Sequence, residues 1–141
     1  MNATDPIDPL QLAADLRSTI GDLVRQARSE SVLPQNQVGA LGWLVREGPH
    51  TTAELAERQQ VRHQSMARTV TLLTEAGLVH QERHPTDGRK LVLHATAAGI
   101  AALHDQRRRR ERLLATAIER ELSPEEQRTL RAAVELMRRL T

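Results

Sequence analysis

The chain has 141 residues, 39% hydrophobic and 27% charged, with a formal net charge of +2, which suits one domain or one compact domain with helical extensions. It has no cysteine, which excludes disulfides, thiolate metal centres and thiol redox sensing and fits a cytoplasmic protein. With no Phe, no Tyr and Trp43 alone, aromatic platforms for stacking single-stranded bases are excluded as well.

All but one of the 20 basic residues are Arg, and Lys90 is the exception. Arginine suits phosphate and guanine recognition, but coding bias also enriches it, so nucleic-acid binding must be argued from placement. No apolar run has the length of a membrane span, and the N-terminal residues do not read as a signal peptide.

Asp8-Pro9-Leu10-Gln11 predicts a helix start, with Asp8 as cap, Pro9 at the first helical position and Gln11 reaching back in a capping box. Leu12, Leu16, Ile20, Leu23 and Ala27 recur at helical spacing to an end near Glu30. A second helix is expected from Gln35 to Glu47, with Val38, Leu41, Leu44 and Val45 as its stripe and Gly48-Pro49 as its stop.

Thr51-Thr52-Ala53-Glu54 opens a third helix, with Thr51 as cap and Glu54 as box partner. Leu55 and Ala56 face inward, and Val61 marks a short turn. The fourth helix covers His63 to Ala76, with Met66, Val70 and Leu73 inward and Gly77 ending it. Residues 78–83 and 90–94 read as two strands, the second alternating Leu91 and Leu93 against Val92 and His94. Pro85, Thr86, Asp87 and Gly88 supply the turn between them.

A long helix follows Thr96 and runs to Glu121, with Ile100, Leu103, Leu114, Ala117 and Ile118 on one face. Ser123-Pro124-Glu125-Glu126 is the strongest cap in the sequence. The last helix carries Leu130, Ala133, Val134, Met137 and Leu140. The first and last two helices have stripes that need a partner, within the chain or in a second copy.

A helix-turn-helix followed by a hairpin with Arg at its tip is a winged helix, a mainly α (α+β) fold suited to duplex DNA. In such a fold the second helix enters the major groove, and its first residues reach base edges. Those residues are Arg62, His63, Gln64 and Ser65, with Arg68 one turn on. Arg reads guanine and Gln reads adenine. Arg89, just past the turn tip, suits a narrow minor groove. Asp87 holds Arg89 or pins the turn, and Lys90 adds charge beside them.

Residues 51–96 resemble the core of the multiple-antibiotic-resistance regulator (MarR) family. The resemblance is carried by Thr-x-x-Glu-Leu-Ala at 51–56, Arg68, Gly77-Leu78-Val79, Asp87-x-Arg89 and Thr96-x-x-Gly99. It implies a homodimeric, sequence-specific transcription regulator, a repressor responsive to a small aromatic or phenolic effector and acting on a pseudo-palindromic operator. Residues 34–95 would form the DNA-binding domain, and residues 1–33 and 96–141 the helical dimerisation region. Trp43 would neighbour the effector cleft.

Some positions depart from the family pattern. Arg62 stands where a helix-capping Ser, Asp or Asn is common, and Glu82 in the first wing strand would repel phosphate if it faced DNA. His80, Glu82 and His84 alternate along that strand and could in principle hold zinc; the preferred reading is a solvated face and no metal. Five of the six histidines lie between 50 and 94, so protonation near pH 6 would add positive charge to the DNA side.

The run from Arg107 to Arg112 cannot form one flat basic surface, because successive helical residues point about 100° apart. It reads as a solvated helix segment, salt-bridged to acidic residues of a partner chain or of the first helix. No nucleophile elbow, phosphate loop or paired carboxylate pattern is present, so neither enzyme activity nor a cofactor is expected. The other functional reading is a winged module that binds protein rather than DNA; it requires Arg62, Arg68 and Arg89 not to share one face.

Overall fold

The structure, a computed structural model, describes residues 5–29 and 31–141. The expected end of the first helix at Glu30, and residues 1–4 of the N-terminal stretch, lie outside the described residues. The elements in chain order are α1 (Pro9–Arg28), α2 (Gln35–Glu47), β1 (His50–Thr51), α3 (Thr52–Arg58), α4 (His63–Glu75), β2 (Val79–Arg83), β3 (Leu91–Ala95), α5 (Ala97–Glu121) and α6 (Pro124–Arg138). They fall into two compact units. One is Ser31–Arg109, and the other is Met1–Glu30 with Arg110–Thr141.

The first unit is a winged helix-turn-helix. Leu41 of α2, Leu55 of α3, Leu73 of α4 and Leu93 of β3 are its fully buried large side chains, each from a different element. Met66, Val70, Val79 and Leu103 extend the same core. One leucine per element is how a small unit without Phe or Tyr closes its centre, each buried leucine contributing roughly 2 kcal/mol or more. Leu93 settles the strand's facing: it points inward with Gln81, while Val92 and His94 point the other way.

The sheet has three strands in the order β1-β3-β2, all antiparallel. Strand β1 has no counterpart among the elements expected from the sequence. It is two residues long, and pairs His50 with Leu93 and Thr51 with Val92. So short a strand has no periodicity of its own and exists because β3 offers a free edge.

The helix ends are where local chemistry and fold agree most closely. Thr51 accepts the Glu54 N–H at 3.2 Å, and the Glu54 carboxylate accepts the Thr51 N–H in return at 3.3 Å, a complete capping box. After α4, the Leu78 N–H donates to the Leu73 carbonyl and the Gly77 N–H to the Thr74 carbonyl. That is a Schellman ending, with Gly77 at φ 74° in the left-handed region that glycine adopts freely.

The turn between α3 and α4 has the same pattern: Val61 N–H to Ala56 carbonyl and Gln60 N–H to Glu57 carbonyl. Here the left-handed residue is Gln60, at φ 55°. A residue with a Cβ pays a conformational penalty in that place.

Thr96 and Gly99 have a joint structural reason. The Thr96 hydroxyl donates to the Gly77 carbonyl at 2.7 Å and accepts the Gly99 N–H at 3.0 Å, while the Thr96 N–H donates to the Leu78 carbonyl. Thr96 thus caps α5 and ties its start to the loop before β2. A Cβ on Gly99 would stand 2.2 Å from the Leu78 carbonyl oxygen, closer than any real contact. Only glycine lets α5 begin there.

The second unit comprises α1, the later part of α5 and α6. None of its described residues is buried. Asp8 caps α1 as expected, accepting the Leu10 N–H at 3.0 Å. The expected reach of Gln11 back to Asp8 does not form; its amide donates instead to Asp15 one turn ahead at 3.0 Å. The Ser123–Glu126 capping box of α6 is complete. Ile118, Leu130 and Val134 line an open groove of about 730 Å³, with Arg128, Arg131 and Arg138 among its other residues.

Candidate nucleic-acid interface

Helix α4 presents its first turn to solvent. Arg62, His63, Gln64, Ser65 and Arg68 are all exposed, while Met66, Thr69 and Val70 on the opposite side are buried. Arg62 occupies the N-cap position with extended backbone and makes no side-chain cap hydrogen bond. The first N–H groups of α4 therefore lack a side-chain acceptor, and the helix dipole leaves partial positive charge at this end. An anion is the natural complement.

The five residues do not act as one block. Gln64 and Arg68, four apart, share the outward face. His63, with Ala67, borders a cleft of about 300 Å³ whose other walls are Thr51, Thr52 and Ala53 at the start of α3 and Arg89, Lys90 and Leu91 on the wing. Ser65 lies on another side, facing a smaller hollow with Asn36, Gln59 and Thr69. The Asn36 amide donates to Thr69 Oγ1 at 3.1 Å there, linking α2 to α4.

The cleft joins three of the expected contact residues from two separated segments: His63, Arg89 and Lys90. It also contains Thr51, Thr52 and Ala53, which open α3 and are not among the contact residues expected from the sequence. Thr51, Thr52 and Ala53 are small, and their place in a capping box was the available signal, since the start of a capped helix carries small residues and free N–H groups.

The wing tip is built by hydrogen bonds to its own backbone. The His84 N–H donates to the Lys90 carbonyl at 2.9 Å, and the Lys90 N–H to the Asp87 carbonyl at 3.0 Å. His84 Nδ1 accepts from the Thr86 and Asp87 N–H groups at 3.2 and 3.1 Å. The Asp87 carboxylate accepts the Arg89 N–H at 3.1 Å. Asp87 therefore pins the turn through the main chain and leaves the Arg89 side chain exposed. With its Nδ1 built into the turn, His84 serves the wing's shape and stands apart from His80 and Glu82.

Glu54 sits beside this cleft. Its carboxyl is held below the usual glutamate range, chiefly by the Thr51 hydroxyl, then by the Thr51 N–H, with smaller help from His50 and Lys90. Trp43 is a half-buried residue of α2 packed against the winged core. Its indole N–H donates to His50 Nε2 at 3.3 Å, and His50 Nδ1 meets the Gly48 carbonyl at 2.8 Å. On α5, Arg108 pairs with Asp105 of its own helix.

Among the described residues, no helix is long and apolar enough to cross a membrane. The MarR family model matches residues 33–90. The HTH-type transcriptional regulator Mb0904 of Mycobacterium bovis is 35% identical over 130 residues, covering 90% of each chain. A transcriptional regulator protein from Pseudomonas aeruginosa, known from its crystal structure, is 31% identical with a TM-score of 0.77, covering 96% of this chain and 97% of that one. MepR of S. aureus, solved as a variant bound to an oligodeoxyribonucleotide, shares the fold at 17% identity, with a TM-score of 0.65 over 96% of this chain and 100% of that one.

Proposed function

The chain belongs to the MarR family of HTH-type transcriptional regulators, and from that premise we propose that it works as a homodimeric repressor in the cytoplasm, reading a pseudo-palindromic duplex operator. The observation that carries this reading is the cleft in which His63, Arg89 and Lys90 meet beside the uncapped first turn of α4. Gln64 and Arg68 read base edges in the major groove, and Ser65 is the most lateral of the set. Arg62, His63 and the first N–H groups of α4 grip phosphate. Arg89 enters the minor groove, with Asp87 fixing the turn that aims it and Lys90 adding charge. The oligodeoxyribonucleotide bound to MepR supports DNA over protein as the ligand of this surface.

Dimerisation through α1, α5 and α6 accounts for the apolar side chains these helices leave exposed, among them Leu12, Ile20, Leu23, Leu114, Leu130 and Val134. Residues 1–33 and 96–141 form the dimerisation region and residues 34–95 the reading head. Two-fold symmetry sets half-sites about 10 bp apart, centre to centre. The protein acts by binding, with no turnover. A small aromatic or phenolic effector releasing the DNA would neighbour Trp43, whose half-buried ring packs against the winged core.

The test is selection of genomic fragments by purified protein, followed by affinity measured against salt. Affinity should fall steeply as salt rises, because bound phosphates release their counterions. Arg89→Ala should weaken binding about tenfold, and Gln64→Ala should chiefly change base preference, by roughly 1–3 kcal/mol at one position. A flat salt response with no preferred fragments would overturn the reading.

A further inference from the structure

The wing's outer face carries a charged cluster that the turn and the cleft do not use. In the β2–β3 register His80 lies opposite His94, and Glu82 opposite Val92. Paired residues of an antiparallel ladder share a face, so His80, Glu82 and His94 project together, away from the core side of Gln81 and Leu93. One Glu82 oxygen lies 3.3 Å from His80 Nε2, and the other lies 3.3 Å from His94 Nε2. The two rings are 6.5 Å apart. Among the described residues, these imidazoles are the only cationic or potentially cationic groups within ion-pair distance of Glu82, and no three of the protein's His, Asp and Glu groups have metal-holding geometry.

Among the described residues, no other salt bridge joins this cluster to β1, α3 or α4. β1 places His50 on the opposite face, against Trp43. Glu54 of α3 is committed to the Thr51 cap. Helix α4 meets β2 through two uncharged groups, the Gln81 amide donating to the Thr74 hydroxyl at 3.4 Å. β2 is an edge strand, so the cluster is open to solvent and to protons.

We propose that His80, Glu82 and His94 form a proton-operated clamp on the wing, strengthening its hold on duplex DNA as pH falls. The proposal rests on the DNA-binding reading above. With both rings neutral the cluster carries one net negative charge, which opposes phosphate. With both protonated it carries one net positive charge, and Glu82 becomes the shared counterion that ties β2 to β3. Imidazole is the side chain that makes this change between pH 5 and 8. Glu82, which alone would repel DNA, thereby becomes the centre of a conditional cation.

The decisive experiment measures affinity for sheared genomic duplex DNA at fixed low ionic strength from pH 8 to pH 5.5. It compares wild type, His80→Gln/His94→Gln and Glu82→Gln. Wild type should tighten on the order of tenfold across that range. The double variant should match wild type at pH 8 and lose most of the gain. Glu82→Gln should bind more tightly than wild type at pH 8 and gain less on acidification. His50, His63, His84 and His104 are present in every protein compared, so their contribution cancels. A double variant that kept the full gain would overturn the clamp.

Hydrogen-exchange protection of the β2 and β3 amides in the free protein gives a reading without DNA. Protection should rise on acidification in wild type and stay level in Glu82→Gln. An equal response in both would refute the clamp. Absence of DNA binding by wild type at every pH would instead refute the DNA-binding reading, and exchange would still decide whether the cross-strand pairing exists.

Discussion

The two compact units solve the problem of stability differently. The winged unit closes a core of its own, with Leu41, Leu55, Leu73 and Leu93 fully buried. The second unit has three amphipathic helical segments and not one buried residue among those described. Its helices are capped as well as those of the winged unit, with the Ser123–Glu126 box as complete as that of Thr51 and Glu54. Good caps start a helix, but they do not hold one in place; burial of an apolar face does. The winged unit therefore has the means to fold from its own sequence, while the second unit depends on what covers Leu12, Leu23, Leu130 and Val134. In the proposed dimer that cover is the second chain, which makes the stability of this half depend on concentration.

Replacing Leu130 and Val134 together by Asp attacks the half that lacks a core. It should weaken dimerisation about a thousandfold, ~4 kcal/mol, as measured by sedimentation equilibrium. The buried leucines of the winged unit should keep their hydrogen-exchange protection. If the variant stayed dimeric, the exposed stripe of α6 would not be the interface.

Gly99→Ala attacks the other half. The new Cβ must displace the Leu78 carbonyl or the start of α5, so urea unfolding should show a loss of about 3 kcal/mol. An ordinary helical Gly→Ala change would stabilise instead, so the sign alone decides whether the close approach matters.

Thr51→Ala removes the cap of α3 and should cost about 1 kcal/mol near neutral pH. The Glu54 carboxyl is held below its ordinary value near 4.5 by Thr51. Its contribution is therefore complete above that value and is lost as pH falls through the lowered one. The difference in stability between wild type and Thr51→Ala should stay level from pH 8 to pH 5 and shrink below about 4.5. The smallest effect is expected of Gln60→Gly, which relieves the left-handed backbone between α3 and α4. A gain of about 0.5 kcal/mol in thermal or urea unfolding is expected once glycine's extra chain entropy is subtracted.

Much of this architecture was legible because its signals are local. The limits of α2 follow from a stripe ending at Gly48-Pro49, and the start of α6 from Ser123-Pro124 with Glu126. The uncapped first turn of α4 was visible from Arg62 alone. What stayed hidden depends on partners distant in sequence or on choices between near neighbours. Strand β1 needs the edge of β3. Gln11 had both Asp8 and Asp15 within reach and took the one a turn ahead. Gln60 adopts a glycine-like conformation with nothing in the sequence to mark it, because the Schellman hydrogen bonds of the turn impose it. The pairing of Glu82 with His94 requires the wing register, so the sequence suggested His84 in its place, a residue that folds back into the turn. Within the interface, the residues of α4 and the wing were legible singly. Their division among an outward face, a cleft and a lateral hollow was not.

The composition of the wing has a practical chemical consequence. Lys90 is the only lysine of the chain, and it stands exposed on the wing among the residues that line the cleft. Apart from an α-amino group, amine-directed reagents thus have a single target. A fluorophore ester would label the wing without any engineered cysteine. Acylation of that one amine would remove one positive charge from the cleft and leave every arginine untouched.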